Sequence, residues 1–495
     1  MALNLGTILA TSARERPDHT AVRLDDAKLT YAELDRAARG IAAALRADGL
    51  ESGDHVAMML PNVLEFPQAY FGILYAGCTV VPLNILLAAP EVSYHIQDSD
   101  SKLLIAHAQF EGPASEGAQG AGVRVVWTGE GSPGLRELAA GDPLEALHPS
   151  DEQDTAVILY TSGTTGKPKG AELTHSNLLL NCAVVVPRLI PLDNDDVALG
   201  TLPLFHSFGQ TCIQNATIAA GGTMTLLPRF TPADALELIQ RDRVTLFAGV
   251  PTMYFAILNH EGGDAYDLSS LRYCLTGGAA MPVEVMKQFE QKYPVKILEG
   301  YGLSETSPVA SFNMLDKPRN AGSIGYPVWG VEMALVDEKD QPLPDGERGE
   351  ICIRGHNIMK GYYKRAEASA ETLRNGWFHS GDVGIRDPDG SYRIVDRVKD
   401  MIIRGGYNVY PREVEEVLYA HPAIVEAAVI GVPHESLGEE IKAVVALGAG
   451  KQTTPEEIIA YCKQHLAAYK YPRLIEFTES LPKGPTGKIL KRELS

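Results

Sequence analysis

The sequence predicts an α/β fold with a large N-terminal domain of α/β layers and a small, mobile α+β C-terminal domain. Up to about residue 330, short apolar stretches that end in glycine or proline alternate with helical stretches, which is typical of layered α/β domains. Short strands with tight turns then follow, and they indicate a small β subdomain at about 330–395. From about residue 411 the order becomes helix, strand, strand, helix.

These changes in pattern predict the domain boundaries. The N-terminal domain is expected over residues 1–395, a hinge over 396–400 and the C-terminal domain over 401–495. At 495 residues the chain is too long for one compact core, in agreement with this division. No repeat with a period of 20 to 50 residues is visible, which argues against a solenoid.

The first long helix is predicted in "TYAELDRAARGIAAALRADGL". Thr30 and Glu33 form a capping-box pattern at its start, and Gly49 can end it. Residues at helical spacing form its apolar face: Leu34, Ala37, Ala38, Ile41, Ala42 and Leu45.

Further elements follow from apolar runs and turn residues. Buried strands are predicted in "HVAMMLPN", "CTVVPLN", "TAVILY", "TMTLLP", "VTLFAGVP" and "LRYCLTGG", and an apolar helix around "AYFGILYAG". The "DPDG" at 387 to 390 predicts a hairpin in the β subdomain. The C-terminal helices and strands are expected in "PREVEEVLYAHP", "IVEAAVIGVP", "EEIKAVVALG" and "TPEEIIAYCKQHL".

The charge of the chain argues against a nucleic-acid partner. Its 44 basic and 63 acidic residues give a net charge of −19, which repels a polyanion over most of the surface. A phosphate ligand must therefore be bound by a local group of basic residues and glycines.

Cysteine spacing and hydropathy predict a cytoplasmic protein. The cysteines form no Cys-x-x-Cys pair, so neither a zinc knuckle nor a disulfide framework is indicated; they stand at 78, 182, 212, 274, 352 and 462. No run approaches the roughly 20 apolar residues that span a bilayer. We expect a monomer or homodimer with, at most, peripheral contact to a membrane.

The stretch "TSGTTGKPKG" at 161 to 170 is the clearest chemical signal. It follows the apolar strand "TAVILY", its glycines let backbone N–H groups approach an anion, and its hydroxyls and lysines add donors and charge. These features predict a polyphosphate-binding loop. Pro168 follows Lys167 where the ordinary P-loop has serine or threonine, so the kinase or GTPase pattern is not met.

Five ordered motifs resemble the adenylate-forming acyl-CoA synthetase superfamily: "YTSGTTGKPKG", "YGLSE", "SGD", "DRVKDMIIRGGYNVYP" and "PTGKILKREL". Within it, the chain looks most like bacterial fatty acyl-CoA ligases and 4-coumarate-type ligases. The resemblance implies that the carboxylate of an acid attacks the α-phosphate of ATP, and that CoA then displaces AMP from the acyl-adenylate. ATP, Mg²⁺ and CoA are therefore expected.

The resemblance also implies the nucleotide site. Tyr301 would stack on adenine, Asp382 and Arg397 would hold the ribose, and Glu305 with the Thr161 hydroxyl would bind Mg²⁺. The family usually has threonine where Ser304 stands. The implied ATP- and AMP-binding residues are Thr161, Ser162, Gly163, Thr164, Thr165, Gly166, Lys169, Gly278, Ala279, Gly300, Tyr301, Gly302, Ser304, Asp382, Arg397 and Lys488.

Catalysis and domain motion are implied in the same way. Lys488 matches the adenylation lysine, and Glu305 and His206 complete the expected catalytic set. Lys399 matches a hinge about which the C-terminal domain rotates after adenylation. That rotation would present the "RGGYN" loop to the thiol of CoA. The candidate CoA-binding residues are Arg229, Arg404, Gly405 and Gly406.

The expected acid carries no α-amino group. Amino-acid-activating relatives usually have aspartate where His206 stands, because an α-ammonium needs a carboxylate nearby. The predicted acyl pocket consists of His206, Gly209, Gly278 and Val309. Its small residues suit either a long apolar channel or a flat aryl slot. We predict a medium- or long-chain fatty acid. The alternatives are a 4-coumarate or other aryl acid, an enzyme that loads a carrier protein, and a nucleotide-binding regulator without activity.

Overall fold

The computed structural model describes residues 3–161, 167–397, 400–405, 407–434, 436–484 and 487–494, except for the side chain of Arg397. The helices are α1 (Thr7–Glu15), α2 (Tyr31–Ala47), α3 (Glu65–Tyr75), α4 (Ala89–Asp98), α5 (Glu111–Ala121), α6 (Gly134–Ala140), α7 (His175–Leu180), α8 (Val186–Leu189), α9 (Ala216–Ala220), α10 (Pro232–Arg241), α11 (Pro251–Leu258), α12 (Val283–Lys292), α13 (Ala366–Thr372), α14 (Pro411–Tyr419) and α15 (Pro455–His465). Two π-helical segments adjoin these helices, Asn181–Val185 between α7 and α8, and Phe208–Asn215 before α9.

The strands are β1 (Thr20–Leu24), β2 (Ala27–Thr30), β3 (His55–Met59), β4 (Thr79–Pro82), β5 (Ser101–His107), β6 (Arg124–Thr128), β7 (Thr155–Thr161), β8 (Lys169–Thr174), β9 (Val197–Gly200), β10 (Thr223–Leu226), β11 (Leu246–Gly249), β12 (Tyr273–Thr276), β13 (Ile297–Gly302), β14 (Val309–Phe312), β15 (Tyr326–Pro327), β16 (Val331–Val336), β17 (Arg348–Gly355), β18 (Gly361–Tyr362), β19 (Phe378–Arg386), β20 (Tyr392–Arg397), β21 (Ile402–Arg404), β22 (Tyr407–Val409), β23 (Ile424–His434), β24 (Gly438–Leu447) and β25 (Leu474–Thr478).

Two large sheets form the layers of the N-terminal region. One has the order β15-β14-β13-β12-β11-β9-β10-β1-β2 and is parallel from β13 to β1. The other has the order β18-β8-β7-β4-β3-β5-β6, with the β7–β8 pair antiparallel. These sheets and their helices confirm the predicted α/β layers.

Two smaller sheets follow. An antiparallel sheet with the order β16-β17-β19-β20 corresponds to the predicted β subdomain, and its β19–β20 connection contains the "DPDG" turn with Gly390 at φ +85°. The C-terminal sheet has the order β22-β21-β24-β23, with β25 parallel to β24. Its buried side chains form a separate core, which includes Val414, Val429 and Val445.

Helix α2 illustrates how local sequence forms these elements. The Thr30 hydroxyl accepts from the Glu33 N–H and the Glu33 carboxylate accepts from the Thr30 N–H, so the predicted capping box is present. Most of the predicted apolar face is fully buried against the core, and Ala37 is half-buried. Gly49 follows the helix at φ +84°, a conformation that glycine adopts without strain.

The sheet topology brings candidate site residues from several segments to one side of the molecule. His206, Thr252, Gly278 and Tyr301 follow, or lie at, the carboxyl ends of β9, β11, β12 and β13, which are neighbours in one parallel sheet. Carboxyl ends of parallel strands are where open α/β sheets bind their ligands. None of the described helices is both long and apolar enough to cross a membrane.

Candidate active site

The predicted phosphate loop joins two paired strands. Thr161 at the end of β7 lies opposite Lys169 at the start of β8, so both residues flank the loop at its base. Pro168 accepts a hydrogen bond from the Tyr94 hydroxyl at 2.8 Å, and the Lys167 ammonium lies 5.1 Å from the centre of the Tyr94 ring. Helix α4 therefore holds one side of this loop in place.

Glu305 lies on the same side of the molecule as Lys169. Its carboxylate is 8% exposed and accepts a hydrogen bond from the Tyr362 hydroxyl at 2.9 Å. The Lys169 ammonium lies 5.2 Å from the centre of the Tyr362 ring, so one tyrosine contacts both the acid and the base. Burial and the Glu305 charge raise the pKa of Tyr362, which keeps the phenol protonated as a donor. Sequence reasoning missed Tyr362, although the aromatic pair in "GYYK" was visible.

The two residues expected around adenine and ribose are in direct contact. The Tyr301 hydroxyl donates to Asp382 at 2.6 Å, although the two residues are far apart in sequence. Asp382 is 3% exposed and lies on β19, where its Cα pairs with that of Arg397 on β20. The β subdomain therefore supplies a carboxylate to the edge of the large parallel sheet.

The glycines around Tyr301 are required by packing. A Cβ at Gly300 would lie 2.1 Å from the Phe312 ring, and a Cβ at Gly302 would lie 1.7 Å from the Pro308 carbonyl oxygen.

Ser304 begins the short turn that carries Glu305. Gly278 is exposed at φ +77° after β12, and half-buried Ala279 follows it.

The loop that carries Lys488 rests on the N-terminal region. Gly487 has φ +77°, and a Cβ there would lie 2.8 Å from Val250 Cγ2 and 2.9 Å from Thr252 Oγ1. The Thr252 hydroxyl donates to the Gly487 carbonyl at 3.4 Å. Only glycine combines this backbone conformation with so close an approach. Sequence reasoning did not predict this contact.

Lys488 lies close enough to His206 to affect its protonation. Burial and, to a smaller extent, the positive charge of Lys488 lower the pKa of His206 from its usual 6.5 to about 4. His206 Nδ1 accepts from the Phe208 N–H at 3.3 Å, so in the neutral ring the proton is on Nε2. The pair thus offers a cation and a neutral imidazole at the end of β9.

A cleft of about 470 Å³ opens between the Lys488 loop and the N-terminal region. Its lining includes Phe205, Arg229 and Thr252 on one side and Lys483 and Gly487 on the other. Arg229 is exposed in this cleft, where its charge is available to a phosphate.

The remaining CoA candidates lie in the C-terminal sheet. Arg404 pairs with Glu440 through two contacts of 2.6 and 2.8 Å, so its charge is compensated within its own region. Gly405 has φ +57° and donates to the Leu437 carbonyl.

The other acyl-pocket candidates are buried. Gly209 lies where a Cβ would be 2.4 Å from the Pro203 carbonyl oxygen. Val309 exchanges hydrogen bonds with the side chain of Asn181, at 3.3 and 3.2 Å. The predicted residues Ser162, Gly163, Thr164, Thr165, Gly166, Lys399 and Gly406 lie outside the described residues, as does the Arg397 side chain.

Comparisons with known proteins identify the family of the chain. Residues 9–363 match the AMP-binding enzyme family, and residues 413–488 match the C-terminal domain of AMP-binding enzymes. The chain is 41% identical to a feruloyl-CoA synthase of Amycolatopsis over 99% of this chain and 98% of the relative. It is 38% identical to a long-chain-fatty-acid–CoA ligase of Bacillus subtilis over 99% and 94% of the two chains.

Solved structures of a relative also match over the whole chain. MatB from Rhodopseudomonas palustris, 33% identical, superimposes with a TM-score of 0.93 in its ATP-bound crystal structure and 0.83 in its apo structure, each covering 100% of this chain and 98% of MatB. The present fold therefore superimposes better on the ATP-bound structure than on the apo structure. By these matches the chain belongs to the adenylate-forming acyl-CoA synthetases, and it is an ATP-dependent acid–CoA ligase of a family that uses Mg²⁺ and CoA.

Proposed function

We propose that this ligase activates an aryl carboxylic acid of the hydroxycinnamate class and that Lys488 and His206 meet at the reacting carboxylate. The observation that carries the role of Lys488 is the contact of the Gly487 backbone with Thr252, which docks the Lys488 loop at the end of β11, from where the Lys488 charge reaches His206. A carboxylate resists nucleophiles because it is an anion without a good leaving group. Its conversion to an acyl-adenylate therefore has to precede attack by a thiol.

Lys488 and His206 assist the first step in different ways. The Lys488 ammonium offsets the negative charge that builds up where the carboxylate oxygen approaches the α-phosphate, an interaction strongest in the transition state. His206, with a pKa of about 4, stays neutral at pH 7 and adds no competing positive charge. Its Nε2–H can donate to the second carboxylate oxygen and orient the acid.

The nucleotide is held by groups on three elements. Lys169 would contact phosphate, Tyr301 would pack on adenine, and Asp382 would accept from ribose hydroxyls. Glu305 with the Thr161 hydroxyl offers the oxygen donors that suit Mg²⁺, which when bound neutralises phosphate charge. Glu305 stays aimed at this position because Tyr362 donates to it.

CoA is expected in the cleft that Arg229 lines. After adenylation, rotation of the C-terminal region at residues 396–400 would withdraw Lys488 and bring the loop of Gly405 to the thiol. The thiol belongs to CoA, so no cysteine of the chain takes part. All six cysteines are buried and unpaired, which agrees with a structural role.

The choice of acid rests on the relatives. The feruloyl-CoA synthase relative supports an aryl acid. A fatty acid is the second candidate, in line with the sequence-based prediction. It is supported by the long-chain-fatty-acid–CoA ligase relative of Bacillus subtilis.

Two measurements test the proposal. Pyrophosphate and AMP release are followed across hydroxycinnamic, benzoic and fatty acids, with and without CoA. We expect full turnover only with CoA and the highest kcat/KM with hydroxycinnamic acids. Turnover with a carrier protein but not with CoA refutes the proposal. The absence of turnover with every acid tested refutes it as well.

The Lys488→Ala variant tests the role of the lysine. It should abolish adenylate formation but leave thioester formation from a supplied acyl-adenylate intact, because the lysine acts only in the first step. Lys451→Ala, which removes an exposed lysine of the same region, is the matched control and should change neither half-reaction. Equal losses of both half-reactions in Lys488→Ala contradict this division of roles.

A further inference from the structure

Strand β19 departs from regular pairing with β17 just where it carries the ribose candidate Asp382. Cys352 pairs with His379, and the next register pair is Glu350 with Val383, so one residue of β17 lies opposite three residues of β19. Such an irregularity is a β-bulge, and bulges re-aim side chains next to functional sites. The direction of the Asp382 side chain therefore depends on what holds the bulge.

The Glu350 carboxylate on β17 holds the bulge at two points. Its Oε1 accepts from the Gly381 N–H at 2.9 Å, and its Oε2 accepts from His379 Nδ1–H at 3.0 Å. Gly381 has φ +71°, a conformation that glycine adopts without strain. Hydrogen bonds to an ionised acceptor are stronger than those between neutral groups. One carboxylate thus ties the start of the bulge to its centre.

Shorter contacts continue from the bulge to the nucleotide site. The Ser380 hydroxyl donates to the Ile351 carbonyl at 2.6 Å and accepts from the Asp382 N–H at 3.1 Å. The Asp382 carboxylate in turn accepts from the Tyr301 hydroxyl at 2.6 Å. The backbone on both sides of Gly381 is therefore fixed before the chain reaches the carboxylate that faces Tyr301.

Glu350 is itself held in place by an arginine. Arg374 Nη2 lies 3.6 Å from Glu350 Oε2, and the same guanidinium pairs with Asp340 through two contacts of 3.1 Å. The Glu350 side chain is 21% exposed, so these contacts and those to β19 restrict its rotation. The carboxylate is a fixed support for the bulge.

We propose that Glu350 is a positioning residue for ATP, which holds the bulge at Gly381 so that Asp382 meets the ribose hydroxyls. The inference rests on the proposed function and deepens it. In this role Glu350 acts through one peptide unit and need not contact the nucleotide. A displacement of about 1 Å at a binding group can cost up to about 100-fold in rate, so a small relaxation of the bulge is measurable.

The test compares ATP with nucleotides that lack a ribose hydroxyl. For the wild-type enzyme, kcat/KM with ATP should exceed that with 2′-deoxy-ATP or 3′-deoxy-ATP by at least about 10-fold, since each loses a hydrogen bond to a charged group. In Glu350→Ala this ratio should fall about 5- to 10-fold and the KM for ATP should rise, with the KM for the acid within about twofold. General damage to the fold would affect all three nucleotides alike.

Two further variants separate the hydrogen bond at Gly381 from other effects. Glu350→Gln retains an oxygen for the Gly381 N–H, so its ratio should stay within about threefold of the wild type. A loss as large as in Glu350→Ala would contradict the role of that bond. Ser380→Ala removes the second support of the bulge by a smaller change and should lower the ratio about 2- to 5-fold.

Glu332→Ala is the matched control. Glu332 lies on β16 of the same sheet, is exposed, and pairs with Arg354 on β17 at 2.7 Å. It thus removes a carboxylate paired with an arginine of the same subdomain without touching the bulge. The ratio should stay within about twofold of the wild type.

The outcomes that overturn the inference are distinguishable. An unchanged ratio in both Glu350→Ala and Ser380→Ala, or an equal fall in Glu332→Ala, refutes the positioning role. Equal use of ATP and both deoxy-ATPs by the wild-type enzyme refutes the ribose contact of Asp382 as well, but leaves the ligase reaction intact. Absence of AMP release with any acid refutes the proposed function itself.

Discussion

Gly487→Ala tests whether the contact between the Lys488 loop and the N-terminal region drives adenylation. The added Cβ would lie 2.8 Å from Val250 Cγ2 and 2.9 Å from Thr252 Oγ1, closer than non-bonded atoms tolerate. Overpacking of this kind costs about 1–2 kcal/mol, and the left-handed φ of +77° adds about 1 kcal/mol of strain for alanine.

The two costs affect the reaction differently. The overpacking exists only while the loop rests on Val250 and Thr252, so it disfavours the arrangement that holds Lys488 beside His206. At about 1.4 kcal/mol per factor of ten, the adenylation rate should fall about 5- to 30-fold. The backbone strain belongs to the loop itself and should not distinguish the two half-reactions.

The assay measures the half-reactions separately, as pyrophosphate release from ATP and acid and as thioester formation from a supplied acyl-adenylate. We expect the loss in the first reaction only. Gly450→Ala is the control, because Gly450 has φ +72° with nothing within 4 Å of an added Cβ. Equal loss in both half-reactions, or the same loss in Gly450→Ala, refutes the reasoning.

Three further predictions follow from other contacts. Tyr362→Phe removes the hydroxyl that donates to Glu305 and should raise the KM for MgATP about 3- to 10-fold. The order of preference among acids should stay unchanged. An unchanged KM for MgATP contradicts the role given to Tyr362. Gly300→Ala places a Cβ 2.1 Å from the Phe312 ring and should lower the Tm in calorimetry by several degrees, so a wild-type Tm would contradict the packing argument. Burial lowers the pKa of His175 from 6.5 to about 4, so its stabilising contribution is complete above pH 6.5 and is lost as the pH falls toward 4. The fall in Tm between pH 7 and pH 5 should therefore be smaller in His175→Gln than in the wild type. An equal fall would contradict His175 as a source of the acid destabilisation.

Much of the fold could be predicted because the signals are local. The Thr30 capping box, the "DPDG" hairpin and the apolar strands all depend on residues within a few positions of each other, and the structure contains each of them. The predicted contact of Tyr301 with the nucleotide site could be carried over from the motif. Its hydrogen bond to Asp382 could not, since it joins two sheets.

The residues that sequence reasoning missed are defined by distant partners. No local pattern distinguishes Tyr362 among the 20 tyrosines of the chain. The structure shows its role by placing it between Glu305 and Lys169. Arg404 was predicted from its position in "RGGYN" to meet CoA, and the structure shows it paired with Glu440. Composition carries no information on which charges compensate one another.

The sequence alone determined the layered α/β class and the family, because helix periodicity, turn chemistry and ordered motifs are properties of short segments. Only the tertiary structure decided which groups meet. Gly487 and Thr252 are 235 positions apart, and Tyr301 and Asp382 are 81 positions apart. Proximity across such separations depends on the packing of whole layers, which no local pattern encodes.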